Sequence, residues 1–214
     1  MHIVGFTLFI MSLLLLSSGV VAATDGADYK TLQKQWAVAK YQTSEDQREG
    51  AFKALADESA KVVEAHPGSA ETLIWRAIIL STYAGEKGGL GALSLVKEAK
   101  ALLEQAEQLD AEALQGSIYT SLGSLYYQVP GWPIGFGDDD KALKYLQKAL
   151  DINPNGMDAN YFYGDFLIEE GEYAEAVKVL EKAIQAPARA ERPLADQGRK
   201  TEIKLALDKA RKAL

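Results

Sequence analysis

Apolar positions along the chain fall into two regimes. Residues 1–23 contain no Asp, Glu, Lys or Arg, and residues 3–16 are almost continuously apolar. Beyond them, apolar residues return every three or four positions, the spacing that puts them on one face of an α-helix. Tyr29, Leu32 and Trp36 share such a face. Phe52, Leu55, Ala56, Val62 and Val63 line a second helix after a Thr43-Ser44 cap. Leu73, Ile74, Ala77, Ile78 and Leu80 line a third, after a stop at His66-Pro67-Gly68-Ser69. Gly85, Gly88, Gly89 and Gly91 mark a loop, and Leu95, Ala99, Leu102, Leu103 and Ala106 a further helix. Strand-type alternation is almost absent. The pattern predicts about nine helices with short connections, an all-α chain of antiparallel pairs.

The later helices repeat. Ala142, Leu146 and Ala149 return as Ala176, Leu180 and Ala183, each 34 residues on. The helices before them also correspond, with Leu122-Gly123-Ser124-Leu125-Tyr126 against Tyr163-Gly164-Asp165-Phe166-Leu167. The small residues stand where two helices must approach closely, and the leucines fill the space between. Gly171-Glu172-Tyr173 is the tight turn of the last pair. The 34-residue offset makes the last two helix pairs copies of one unit.

These positions resemble the tetratricopeptide repeat family. The resemblance is strongest over residues 157–190, is present over 116–155, and is degenerate over 70–110. In the degenerate unit Ala77, Ala99, Leu103 and Ala106 fit, but Arg76 stands where an apolar residue is usual and Ala111 replaces the terminal proline. Periodicity alone gives helix pairs. The resemblance adds the architecture: a right-handed superhelix of stacked antiparallel helix pairs, whose inner helices line a concave groove for peptides or other ligands. It divides the chain into 24–68, a helix pair or a decayed unit; 69–110, the degenerate unit with a glycine-rich insert; 111–156, a unit with a Trp/Phe insert; 157–190, a repeat; and 191–214, a capping helix. The implied groove positions are Ile74, Ile78, Thr120, Ser124, Tyr127, Tyr161, Asp165 and Ile168. That surface is aromatic, apolar and neutral-polar. It lacks the Lys/Asn clusters that grip a chain-end carboxylate in chaperone-binding members of the family, so an apolar peptide or small amphipathic ligand suits it better.

Two insertions break the period. Gly123 to Ala142 is 19 residues where Gly164 to Ala176 is 12, and Ala77 to Ala99 is 22. Both fall between the first and second helix of a pair, so both emerge at the same end of the stack. The insert at residues 130–137 is shaped by two prolines and three glycines and carries Trp132, Ile134 and Phe136. These side chains either plug the rim of the core or meet a partner. The insert also looks like that of exported bacterial tetratricopeptide proteins, and more weakly like the T-component family associated with TRAP transporters. That family's lipoprotein cysteine is missing here.

Composition narrows the chemistry. Of 214 residues none is Cys and two are His, and the net charge is −7. Disulfides, thiolate catalysis and sulfur-ligated metals are excluded. The acidic balance argues against a nucleic-acid partner. The charge-free start followed by Ser17-Ser18-Gly19-Val20-Val21-Ala22-Ala23 suits a signal cleaved after Ala23, with a retained anchor as the alternative. Without a cysteine to acylate the chain is not a lipoprotein, and no stable membrane insertion is expected after cleavage. The expected location is periplasmic or secreted.

Candidate catalytic groups each have a plainer structural role. Asp138-Asp139-Asp140 suits a helix cap and first turn rather than a cation site. His66 suits a helix end, where it bonds terminal carbonyls. Glu169 and Glu170 suit solvated helix-end charges. The glycines of 85–91 lack the strand and the Gly-Lys-Ser/Thr of a phosphate loop. The basic amphipathic stretch 194–214 suits a cap on the last repeat better than a membrane-surface helix. The expected function is a non-enzymatic periplasmic protein-binding or scaffold module, using the groove and the rim loop, with no cofactor and no metal. The alternative is a ligand-binding accessory of a TRAP-type solute transporter.

Overall fold

The computed structural model describes residues 28–214, so the segment expected to direct export lies outside the described residues. Nine α-helices occupy the described residues: α1 (Tyr29–Tyr41), α2 (Glu45–Ala65), α3 (Ala70–Lys87), α4 (Gly89–Leu109), α5 (Ala113–Gln128), α6 (Asp139–Ile152), α7 (Met157–Glu169), α8 (Tyr173–Ile184) and α9 (Pro193–Lys212). None is long and apolar enough to cross a membrane. The all-α helix pairs expected from the periodicity, and their solenoid-like stacking implied by the family resemblance, are the architecture observed.

Local chemistry sets the helix boundaries. Asp28, Ser69 and Asp138 cap α1, α3 and α6 by accepting the backbone N–H of Thr31, Thr72 and Lys141. His66 Nδ1 lies 2.9 Å from Val62 O at the end of α2. The start of α5 is unusual. Leu114, Gln115 and Gly116 all have left-handed backbone, with φ of 50°, 54° and 81°, before the regular helix sets in. A left-handed Leu and Gln cost about 1–3 kcal/mol each unless their surroundings enforce the conformation. Here Ser117 Oγ donates to Leu114 O at 2.7 Å and so closes the turn.

The pairs are α3 with α4, α5 with α6, and α7 with α8, and each second helix also packs on the next first helix. The Ala–Leu–Ala triads are the seams. Ala99, Leu103 and Ala106, then Ala142, Leu146 and Ala149, then Ala176, Leu180 and Ala183 are all fully buried. Gly123 and Gly164 make the close approach possible, since a Cβ at either would lie 2.6 Å from Leu146 Cγ or Leu180 Cγ. Arg76 has its own explanation. Its guanidinium donates to Ala56 O at 2.9 Å and Ser59 Oγ at 3.2 Å, and pairs with Glu98. A polar Ser59, itself fully buried, therefore faces the polar residue in the degenerate unit.

The first helices of successive pairs touch in order: α1 on α3, α3 on α5, α5 on α7, and α7 on α9. The series then closes, because α9 packs back on α1. Gly198 allows this, since a side chain there would enter the Tyr41 ring. Tyr41 Oη donates to Glu202 Oε2 at 3.2 Å across the same seam. The C-terminal helix covers α8, as a cap does, and also completes a ring of five inner helices.

Candidate functional site

The ring borders a partly open cavity of about 450 Å³, within the size range of small-molecule sites. All five inner helices contribute to its wall. α1 supplies Trp36 and Lys40, and α3 supplies Trp75, Ile78, Ser81, Thr82, Gly85 and Glu86. α5 presents Ser117, Thr120, Ser121, Ser124 and Gln128, which fall at helical spacing on one face. α7 adds Asp158, Tyr161 and Phe162, and the chain around α9 adds Arg192, Arg199 and Glu202.

The wall has an aromatic side and a hydroxyl side. Trp36 packs edge-on against Trp75, and its indole N–H donates to Thr82 Oγ1 at 2.9 Å. Ser81, Thr82, Ser117 and Thr120 donate to helix carbonyls of their own turns, which leaves hydroxyl lone pairs available.

The charged side is built around Asp158. Its carboxylate meets Arg189 Nη1 at 2.6 Å, Arg199 Nε at 2.9 Å and Arg192 Nη1 at 3.7 Å. Arg189 is held in turn by Asp196, and Arg199 by Glu202. Burial alone would raise the Asp158 pKa. The charges of Arg199, Arg189 and Arg192 overcome it and hold the carboxyl well below the usual range. Arg199 responds in the opposite sense: burial opposes its charge, but Asp158 and Glu202 hold its pKa above the arginine norm. Burial pushes the Tyr161 phenol up to about 12, against the pull of Arg199, whose guanidinium lies 4.4 Å from the Tyr161 ring centre.

Four of the eight expected groove residues line this cavity: Ile78, Thr120, Ser124 and Tyr161. Ile74 and Ile168 lie inside the core, essentially without exposure. Tyr127 donates to Asp165 at 2.7 Å, away from the cavity wall, and burial with the adjacent carboxylate raises its pKa well above the phenol norm. The arginines were not among the expected groove residues: Arg192 and Arg199 come from the segment read as a cap, and Arg189 from the very end of the last repeat unit. Their local clustering ahead of and within a helix of otherwise moderate amphipathicity was the available signal.

The rim loop divides. Phe136 is half-buried and meets the Tyr126 ring edge-on at 5.5 Å. Trp132 and Ile134 stay exposed, at 90% and 61%. The loop backbone is nonetheless held: Ile134 N and Gly135 N donate to Gly131 O, Gly137 N to Pro130 O, and Asp138 N to Tyr126 O. The Trp132–Pro133 peptide is cis.

Residues 134–193 match the family model described as tetratricopeptide repeat. The chain carries a tetratricopeptide repeat. Tetratricopeptide folds form protein-interaction or scaffold modules and are typically non-catalytic. No curated protein gives a significant match. Among solved structures the chain is similar to MamA, at 22% identity over 78% of this chain and 92% of that one, with a TM-score of 0.44. It is also similar to a thermophilic tetratricopeptide protein of Thermus thermophilus, at 16% identity over 82% and 99%, with a TM-score of 0.41. A third similar structure is pilF of Pseudomonas aeruginosa, at 18% identity over 86% and 88%, with a TM-score of 0.35. The matched residues take in α6, α7 and α8, and outside them the Ala99–Leu103–Ala106 seam of α4 is buried in the same way.

Proposed function

We propose that this tetratricopeptide chain is a non-catalytic, exported binding module of the periplasm that holds a protein partner through its rim loop. The observation that carries the reading is Trp132. A large aromatic side chain stands 90% exposed on a loop whose backbone is fixed by its own hydrogen bonds. Rigid exposed aromatics of this kind are the usual anchors of protein interfaces, because little side-chain freedom is lost on binding. Export rests on the charge-free segment 1–23 and the small residues before Thr24.

The test is capture from periplasmic extract, with a photocrosslinking side chain placed at Trp132 and, as control, at Lys178 on the outer helix α8. A specific adduct at residue 132 that is absent at 178 supports the reading. A Trp132→Ala/Ile134→Ala double variant that folds and captures the same partner overturns it.

A second reading is favoured by a separate observation. The closed ring and its 450 Å³ cavity suit a small-ligand accessory protein, and neither Trp132, Ile134 nor Phe136 contributes to that wall.

A further inference from the structure

We propose that the cavity inside the ring binds a carboxylate carried on an apolar body, with Arg192 and the Trp75 indole N–H as its anchors. The inference rests on the reading of the cavity as a small-ligand site and adds the class of ligand.

Trp75 is 3% exposed and lines the cavity, yet its Nε1 has no hydrogen-bond partner among the described residues. Arg192 also lines the cavity, and its Nε is likewise buried without a partner. The two belong together, since the Arg192 guanidinium carbon lies 5.3 Å from the Trp75 ring centre. Buried donors are almost always satisfied in folded proteins, so a pair of orphans at one cavity wall calls for an acceptor.

Arg192 has capacity to spare. Its contact with Asp158 is the long one, at 3.7 Å, while Arg189 and Arg199 already occupy that carboxylate at 2.6 and 2.9 Å. The acids in the wall are all engaged: Asp158 by arginines, Glu202 by Arg199, and Glu86 by Lys40 and Arg48. No carboxylate of the wall is left to accept from Arg192 and Trp75, so the carboxylate of a ligand fits that place.

Geometry sets the class: a planar carboxylate matches the fork of the Arg192 guanidinium, which lines the cavity. The rest of the wall selects the body: Trp36, Ile78, Tyr161 and Phe162 offer apolar and aromatic surface.

Isothermal titration of the purified full chain with phenylacetate and hexanoate, against phenylacetamide and hexanamide, tests the proposal. The acids are expected to bind at least tenfold more tightly than the amides. Arg192→Gln should weaken acid binding at least tenfold, Arg192→Lys should restore part of it, and Trp75→Phe, which keeps the ring and removes the N–H, should weaken it severalfold. Circular dichroism confirms that each variant is folded. An N-acetylated tetrapeptide with a free carboxyl end, compared with its amidated form, separates the two sources of the group. Tighter binding of the free-ended peptide than of phenylacetate supports the carboxylate site and assigns it to a chain end; the reverse order supports it and assigns a free acid. Equal binding of acids and amides overturns the carboxylate inference and leaves the small-ligand reading standing. No binding of any probe at millimolar concentration overturns both.

Discussion

Asp158→Asn is the sharpest probe of how the ring is held. The substitution keeps the shape of the side chain and removes its charge. Three guanidiniums then face one another without their shared carboxylate, and two short ion pairs disappear, to Arg189 at 2.6 Å and Arg199 at 2.9 Å. Breaking a buried charge pair by removing one partner costs about 3–5 kcal/mol. The Asp158 side chain retains 28% exposure, so solvent screens part of the effect and the lower end, about 3 kcal/mol, applies. For a chain of this size that corresponds to a fall in Tm of about 6–12 °C. Urea denaturation followed by circular dichroism measures it directly. The pH dependence identifies the cause. The folded-state pKa of Asp158 lies below the unfolded value of about 3.9, so its contribution is fully present above that value and is lost as pH falls toward the folded pKa. The gap between wild type and variant is therefore constant from pH 7 to about pH 5 and narrows below about pH 4. A loss under about 1 kcal/mol at pH 7, or a gap that stays unchanged down to pH 2, would refute the account.

Three further outcomes follow from the packing. Gly198→Ala should cost about 1–3 kcal/mol because the new methyl enters the Tyr41 ring, whereas Gly50→Ala, in open space on α2, should gain about 0.5–1 kcal/mol; equal urea midpoints for the two would contradict the α1–α9 contact. Leu180→Ala should lower stability by about 2–5 kcal/mol, since Leu180 is fully buried between Gly164 and the two alanines of its triad; a change in midpoint no larger than that of a surface substitution would contradict the seam. Trp132→Ala should leave stability within about 0.5 kcal/mol, while Phe136→Ala should cost about 1–2 kcal/mol because no ring then packs on Tyr126; the reverse order in thermal denaturation would show that the loop is packed the other way round.

The helix pairs were legible because their signals are local. Ala176, Leu180 and Ala183 sit within two turns of one helix, and their copies lie 34 residues earlier, so spacing alone exposes the seam. The loop at 130–137 was legible as an insertion for the same reason. Its internal division was not, because whether Phe136 or Trp132 turns inward depends on Tyr126 and on the loop hydrogen bonds rather than on composition. The groove expectation depended on choosing a face of each inner helix. Ile74 and Ile78 are four residues apart and share a face, yet only Ile78 borders the cavity while Ile74 is sealed in the core.

Closure of the ring left almost no local trace. The bond from Tyr41 to Glu202 joins residues 161 positions apart, and no periodicity reports a contact of that range. Gly198 was the one hint, a glycine inside an otherwise unbroken helix, where it costs stability unless a neighbour needs the room. The consequence is functional as well as structural. In an open array the concave face is a groove, accessible along its length and suited to an extended chain. Here α9 carries Arg199 and Glu202 into the wall and, with Arg192 at its N-cap position, completes the charged side of a partly open cavity that the repeats alone do not contain. Holding the two ends of the solenoid together and assembling the charged side of the cavity are therefore one event. A ligand held between Arg192 and Trp75 binds the folded chain alone, so a carboxylate that fits this wall is expected to raise the unfolding midpoint.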